Sequence, residues 1–169
     1  MDNVLIVVED LEAAIAFFAE LGLELEGQTQ VEGDFVDRTV GLKGVRADIA
    51  MMRVPDSDGR VELTKFHTPA AIAREPRNAP ANTLGISRIM FAVTDIDDVV
   101  ARLRTHSAEL LDDIAQYEDS YRLCFVRNPE GFIIGLAGVL DAETLSVASR
   151  RSTGTKYLID PSRDRPAGR

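Results

Sequence analysis

Two segments of the chain share one pattern of apolar, acidic and helix-forming residues. Residues 4–22 read VLIVVEDLEAAIAFFAELG, and residues 89–107 read IMFAVTDIDDVVARLRTHS. In each segment an apolar run leads to an aspartate, Asp10 or Asp95, which is well suited to cap the amphipathic helix that follows. Tandem copies of one unit predict pseudo-twofold packing with a cleft between the copies, and such a cleft is where a function is to be sought.

Each copy predicts the element order β-α-β-β-β. The run VLIVV predicts a first strand that is buried on both faces, because it lacks alternation of polar and apolar residues. Residues 32–44 contain three glycines and predict a loop with a short helical turn, whereas residues 109–116 predict a single strand. The predicted divisions are a first module over 1–66, a linker over 67–84, a second module over 85–138 and a polar, flexible tail over 139–169.

Composition narrows the class of protein. Apolar residues make up 45% of the chain, which is enough for a real core, and the formal net charge is −9. An acidic chain disfavours nucleic acid as a partner and could attract a cationic compound. No apolar run is long enough for a membrane span, and the N-terminus does not resemble a secretory signal. The single cysteine, Cys124, suits a reducing compartment, so we expect a cytoplasmic protein with no membrane partner.

Two phrases carry a resemblance to a known family. NVLIVVEDLEAAIAFFAELGLEL resembles the opening, and VRNPEGFIIGL the closing strand pair, of the vicinal oxygen chelate superfamily, which includes glyoxalase I, bleomycin-resistance proteins and extradiol dioxygenases. The resemblance covers about residues 2–138. It implies an α+β fold in which two tandem βαβββ modules form one domain, with a curved mixed sheet around a cleft. Family members commonly pair, so the resemblance also implies a homodimer.

The same resemblance bears on metal binding. Catalytic family members usually place His, Glu, His and Glu on the strands that line the cleft. The matching positions here are Asn3, Glu62, Arg88 and Gly135. Only Glu62 keeps a strong ligand, because an amide is a weak one, glycine has no side chain and a guanidinium cannot bind a cation. We therefore expect no metal and no other cofactor.

Glu62 and Arg88 admit two interpretations if both face the cleft. In one interpretation, they form an internal ion pair that replaces the metal as a cross-link. Alternatively, Arg88 binds an anionic or carbonyl group of a ligand while Glu62 accepts a hydrogen bond from it. Asn3 adds an amide, and the other candidate ligand-binding residues are Asp48, Tyr121 and Arg122.

The leading hypothesis is a metal-free protein that binds a small organic molecule and sequesters it in the manner of bleomycin-resistance proteins. Two alternatives stay open. In the first, the protein is a glyoxalase-like isomerase, epimerase or lyase in which Glu62 is the general base and Arg88 stabilises an oxyanion. In the second, it is a metalloenzyme whose ligands are displaced from the usual positions.

Overall fold

A computed structural model describes residues 2–55, 57–86, 88–117 and 121–139 of the chain. Its elements alternate between strands and helices in two successive groups. In chain order they are β1 (Asn3–Val7), α1 (Leu11–Glu20), β2 (Glu24–Glu32), α2 (Asp34–Val40), β3 (Arg46–Arg53), β4 (Arg60–Thr68), β5 (Arg88–Val93), α3 (Ile96–Thr105), β6 (Glu109–Leu110), β7 (Ala115–Tyr117), β8 (Tyr121–Arg127) and β9 (Ile133–Val139).

The two long helices begin in the same way, as the repeat predicts. The Asp10 carboxylate accepts a hydrogen bond from the Ala13 backbone N–H at 3.1 Å, and the Asp95 carboxylate accepts one from Asp98 at 3.0 Å. Each aspartate thus satisfies a backbone donor that the first helical turn leaves without a partner. The apolar side of each helix is buried against its own module's sheet.

Each module forms one mixed sheet, and the strand orders are β1-β4-β3-β2 and β5-β9-β8-β6, with β7 also on β8. The first strand of each module runs parallel to the last one, and the other pairs are antiparallel. The register places Leu5 beside Glu62 in the first sheet and Met90 beside Gly135 in the second. This architecture confirms the α+β fold of paired βαβββ modules.

The two faces of each sheet differ because strand side chains alternate. Ala50 and Leu63 are fully buried on the face that packs against α1, and Leu136 is equally buried on the corresponding face of the second sheet. We call the opposite face of each sheet its open face. In the first module Glu62 lies on it, and in the second module Gly135 does.

A cluster of phenylalanines joins the two modules. Phe18 of α1 is fully buried. Its ring centroid lies 6.4 Å from that of Phe91 and 6.1 Å from that of Phe132, both in the second module. Nearby, Arg102 of α3 donates to the Glu20 carboxylate of α1 at 2.9 Å. The modules therefore share one apolar core.

The segment between the modules packs against the second module. Ala79 is buried, and its carbonyl accepts a hydrogen bond from Arg127 of β8 at 3.0 Å. Arg77 donates to the carbonyl of Pro129 in the β8–β9 turn, also at 3.0 Å. The predicted linker is therefore held in place by side-chain contacts to carbonyl groups, and its first two residues, 67 and 68, extend β4.

One further expectation is wrong, and others concern residues outside the described part of the chain. The single strand predicted over 109–116 is wrong, since β6 and β7 are separate. The Asp113 backbone N–H bonds the Asp112 carboxylate at 3.0 Å, a local bond that competes with strand pairing. The expectations for residues 118–120, and for the tail from residue 140, fall outside the described residues. No helix in the described part of the chain is long and apolar enough to cross a membrane.

The shared core leads to a stability prediction. Replacing Phe18 by alanine removes the ring that contacts Phe91 and Phe132, and we expect it to lower the free energy of unfolding by about 3–5 kcal/mol. Phe35 of α2 is 81% exposed, so the matched change Phe35→Ala is expected to cost less than about 0.5 kcal/mol. Urea denaturation followed by circular dichroism measures both values. Equal losses in the two variants would contradict the shared core.

Candidate functional site

The first module presents a carboxylate that two neighbours hold in place. Asn3 of β1 donates from Nδ2 to Glu62 Oε2 at 2.6 Å, across the parallel pairing of β1 with β4. Thr64, a buried residue on the same strand as Glu62, donates from its hydroxyl to Oε1 at 3.2 Å. Each carboxylate oxygen therefore has one protein donor and keeps lone-pair capacity for a further one.

The second module presents a guanidinium on an aromatic ring. Arg88 of β5 lies with its guanidinium carbon 4.6 Å from the ring centroid of Phe125 on β8, which is cation–π distance. Arg88 is exposed, and no carboxylate among the described residues lies within ion-pair distance of it. A cation–π contact of this kind does not require the guanidinium N–H donors.

Gly135 of β9 lies in the sheet between the strands that carry Arg88 and Phe125, and Met90 occupies the space beside it. A Cβ atom on Gly135 would lie only 1.9 Å from Met90 Sδ. The register pairs Gly135 with Met90 on one side and with Phe125 on the other. The open face at this position is therefore apolar, and a thioether fills the place where a larger side chain would extend.

The ion pair between Glu62 and Arg88, one of two interpretations of the sequence, is absent from the structure. The Glu62 carboxylate interacts with Asn3 and Thr64, and the Arg88 guanidinium stacks on Phe125. Each group contacts neighbours within its own module. The cross-link interpretation is therefore not supported.

Two of the other candidates lie on the face opposite Glu62. Asp48 shares its face of β3 with buried Ala50; its carboxylate contacts His67 Nε2 at 2.7 Å and accepts a bond from Gln30 at 3.1 Å. The hydrogen bond to His67, with the Gln30 bond in support, holds the pKa of Asp48 below its ordinary value.

Arg122 occupies the corresponding place in the second module, beside buried Cys124. It forms a two-pronged ion pair with Asp97 of α3, which lowers the pKa of Asp97. Burial raises the pKa of the Cys124 thiol to about 11, so this thiol stays protonated and chemically inert. Tyr121, the last candidate, is half-buried on the same face of β8 as Phe125.

Reasoning from the sequence missed the apolar part of the site. Leu5 and Val7 of β1 are 49% and 44% exposed, so the prediction of a strand buried on both faces is wrong for the open face. These residues line a cavity of about 240 Å³ between the modules, together with Val4, Ile6, Ile86, Arg88, Ile89, Phe132 and Ile133. Among the described residues of this lining, Arg88 is the one that carries a charge. A run of β-branched residues looks the same whether its second face meets core or a cavity, so the sequence carried no signal for the difference.

In the described part of the chain, contacts between carboxylates and histidines are limited to pairs, such as Asp48 with His67. Within residues 2–55, 57–86, 88–117 and 121–139, no group of three or more His, Cys, Asp or Glu residues could hold a metal ion. At the four family positions the donors present are the Glu62 carboxylate and the Asn3 amide. A cationic side chain at Arg88 and a bare backbone at Gly135 do not form a divalent-cation ligand set.

Comparison with known proteins agrees with this fold. The sequence model of the Glyoxalase/Bleomycin resistance protein/Dioxygenase superfamily matches residues 1–136, and the chain belongs to that superfamily. A glyoxalase family protein from Bacillus cereus is similar in structure, with 53% identity, a TM-score of 0.79, and coverage of 83% of this chain and 94% of that one.

More distant structures share the fold alone. A glyoxalase family protein from Enterococcus faecalis has 16% identity and a TM-score of 0.54, with coverage of 81% of this chain and 95% of that one. A glyoxalase I variant from Zea mays has 18% identity and a TM-score of 0.55, with coverage of 80% of this chain and 44% of that one. No protein of curated function matches the chain significantly.

The pair formed by Asp48 and His67 leads to a pH prediction. Since His67 favours the ionised carboxylate, we expect Asp48 to titrate below its ordinary pKa of 3.8, and its contribution to stability to be lost as the pH falls through that lowered value. In His67→Ala the Asp48 pKa should rise, as followed by carboxyl carbon NMR. Asp97, whose pKa is lowered by Arg122 instead, is the internal control and should not change. An unchanged Asp48 titration would refute the assignment.

Proposed function

We propose that this protein binds a small organic ligand on the open faces of its two sheets, without a divalent metal, and sequesters or senses it. One observation carries the proposal. At the second module's two family ligand positions stand the Arg88 guanidinium and Gly135, with Met90 filling the space beside the glycine. A cation and a thioether would repel or obstruct a metal ion, but they suit an organic molecule.

The polar groups of the two modules have complementary roles toward such a ligand. Arg88 offers N–H groups to an anionic or carbonyl oxygen, while Glu62, held by Asn3, accepts a hydrogen bond from a ligand donor. The apolar surface of Leu5, Val7 and the cavity between the modules supports the body of the molecule. This division between a few polar groups and an apolar lining is typical of small-molecule sites.

Membership of a superfamily that includes bleomycin-resistance proteins supports sequestration as the form of binding. We propose further that the protein works as a cytoplasmic homodimer. Exposed apolar residues outside the cavity, among them Leu25 of β2 and Val40 of α2, provide surface that a second copy could cover.

The absence of a metal is directly testable. Protein purified without chelator and dialysed against Zn²⁺, Ni²⁺ or Fe²⁺ is expected to retain far less than about one metal ion per chain by elemental analysis, because the ligand set holds only one carboxylate. Glu62→Gln is the matched variant and should retain the same trace amount. Stoichiometric metal in the wild type, lost in Glu62→Gln, would contradict the proposal and favour a metalloenzyme.

Ligand binding is the second test. In a thermal-shift screen of small organic compounds with EDTA present, we expect hits. Those that carry a hydrogen-bond donor should lose about tenfold in affinity in Glu62→Gln, since their hydrogen bond to a carboxylate becomes one to a neutral amide. Glu32→Gln, on the exposed part of β2, removes the same charge elsewhere and should leave affinity unchanged. A screen without hits would contradict the proposal.

The same variant distinguishes binding from catalysis. The enzymatic alternative requires turnover of a hit compound that Glu62→Gln abolishes while binding persists. Sequestration requires that the wild type return the compound unchanged, as measured by chromatography of the recovered ligand.

A further inference from the structure

The charge pattern of the cavity between the modules narrows the class of ligand. Of the nine described residues that line it, eight are apolar and one, Arg88, is charged. The cavity is about 240 Å³, slightly below the range of about 300–1,000 Å³ usual for drug-sized ligands. An apolar wall that ends in a single cation is complementary to a small molecule with an apolar body and a single anionic group.

Arg88 has the features of an anion-binding residue. Its guanidinium carbon lies 4.6 Å from the ring centroid of Phe125, a cation–π contact that does not require the N–H donors. No described carboxylate neutralises it, although the protein as a whole has a formal net charge of −9. A planar guanidinium whose donors have no carboxylate partner among the described residues matches the two oxygens of a carboxylate in bidentate fashion.

A neighbouring cavity provides a contrast. It measures about 250 Å³ and contains Arg74 and Arg77 together with Glu9 and Glu130. Its charges are largely satisfied by the protein: Arg77 lies 3.8 Å from the Glu9 carboxylate, and the Glu130 carboxylate accepts the backbone N–H groups of Glu9 and Asp10 at 2.9 and 3.3 Å. The cavity at Arg88 has no such internal compensation among the described residues.

We propose that the ligand is a small monocarboxylate with an apolar body, whose carboxylate binds Arg88 and whose body lies between β1 and β5. This inference rests on the proposed function and specifies its ligand. Contact with Leu5 and Val7, both nearly half exposed in the free protein, would remove apolar surface from water and drive binding of the body.

The test uses four probes of graded chemistry, namely hexanoate, hexanamide, hexylammonium and acetate. Methyl NMR spectra of the full chain report binding at Leu5, Val7, Ile89 and Ile133. We expect hexanoate to bind at least about tenfold more tightly than hexanamide or acetate, and hexylammonium to bind least, since only hexanoate combines body and charge. Arg88→Gln should weaken hexanoate at least about tenfold, while Arg104→Gln, an exposed change of the same charge on α3, should have no effect.

A second variant guards against an uninformative result. Leu5→Ser, on the exposed part of the lining, should weaken hexanoate but not acetate. Binding of hexanamide or hexylammonium as tight as that of hexanoate would overturn the carboxylate inference and leave the proposed small-molecule site intact. Equal affinity for acetate and hexanoate would overturn the requirement for an apolar body. Failure of all four probes, together with a screen without hits, would overturn the proposed function as well.

Discussion

The packing of Phe18 is the interaction on which the rest of the structure depends. This ring comes from the helix of the first module and contacts Phe91 and Phe132 of the second, so neither module has a complete core alone. Modules of this size bury only about 60% of the surface that their unfolded chains expose, so their stability in isolation is marginal. Each sheet therefore packs one face against the shared core and leaves its other face open. A cavity with exposed apolar walls lies between β1 and β5.

That arrangement separates two kinds of polar residue. Asp48 and Arg122 lie on the helix-packed faces, where each has an oppositely charged or protonatable neighbour, His67 or Asp97. Glu62 and Arg88 lie on the open faces, and neither has an ion-pair partner among the described residues. Charges that are compensated stabilise the fold locally, whereas uncompensated charges beside apolar surface are available to a ligand.

The second module differs from the first in the chemistry of its open face. In the first, Asn3 and Thr64 support a carboxylate, which is a polar arrangement. In the second, Met90 lies over Gly135 and Phe125 lies under Arg88, which makes an apolar floor with a single cation. A duplicated fold thus carries an unsymmetrical site. Such asymmetry favours an unsymmetrical ligand, with an anionic group at one end and an apolar body at the other.

The sequence by itself determined the architecture. The capping aspartates Asp10 and Asp95 and the helical spacing of the apolar residues are local signals, and local signals repeat faithfully in both copies. The family resemblance also placed Asn3, Glu62, Arg88 and Gly135 at corresponding strand positions, and the strand register agrees. Only the tertiary structure decided that Glu62 and Arg88 stay apart, that Met90 fills the space at Gly135, and that Leu5 and Val7 face a cavity. The alternation of side chains along a strand indicates which residues share a face. What that face contacts depends on the packing of segments distant in sequence.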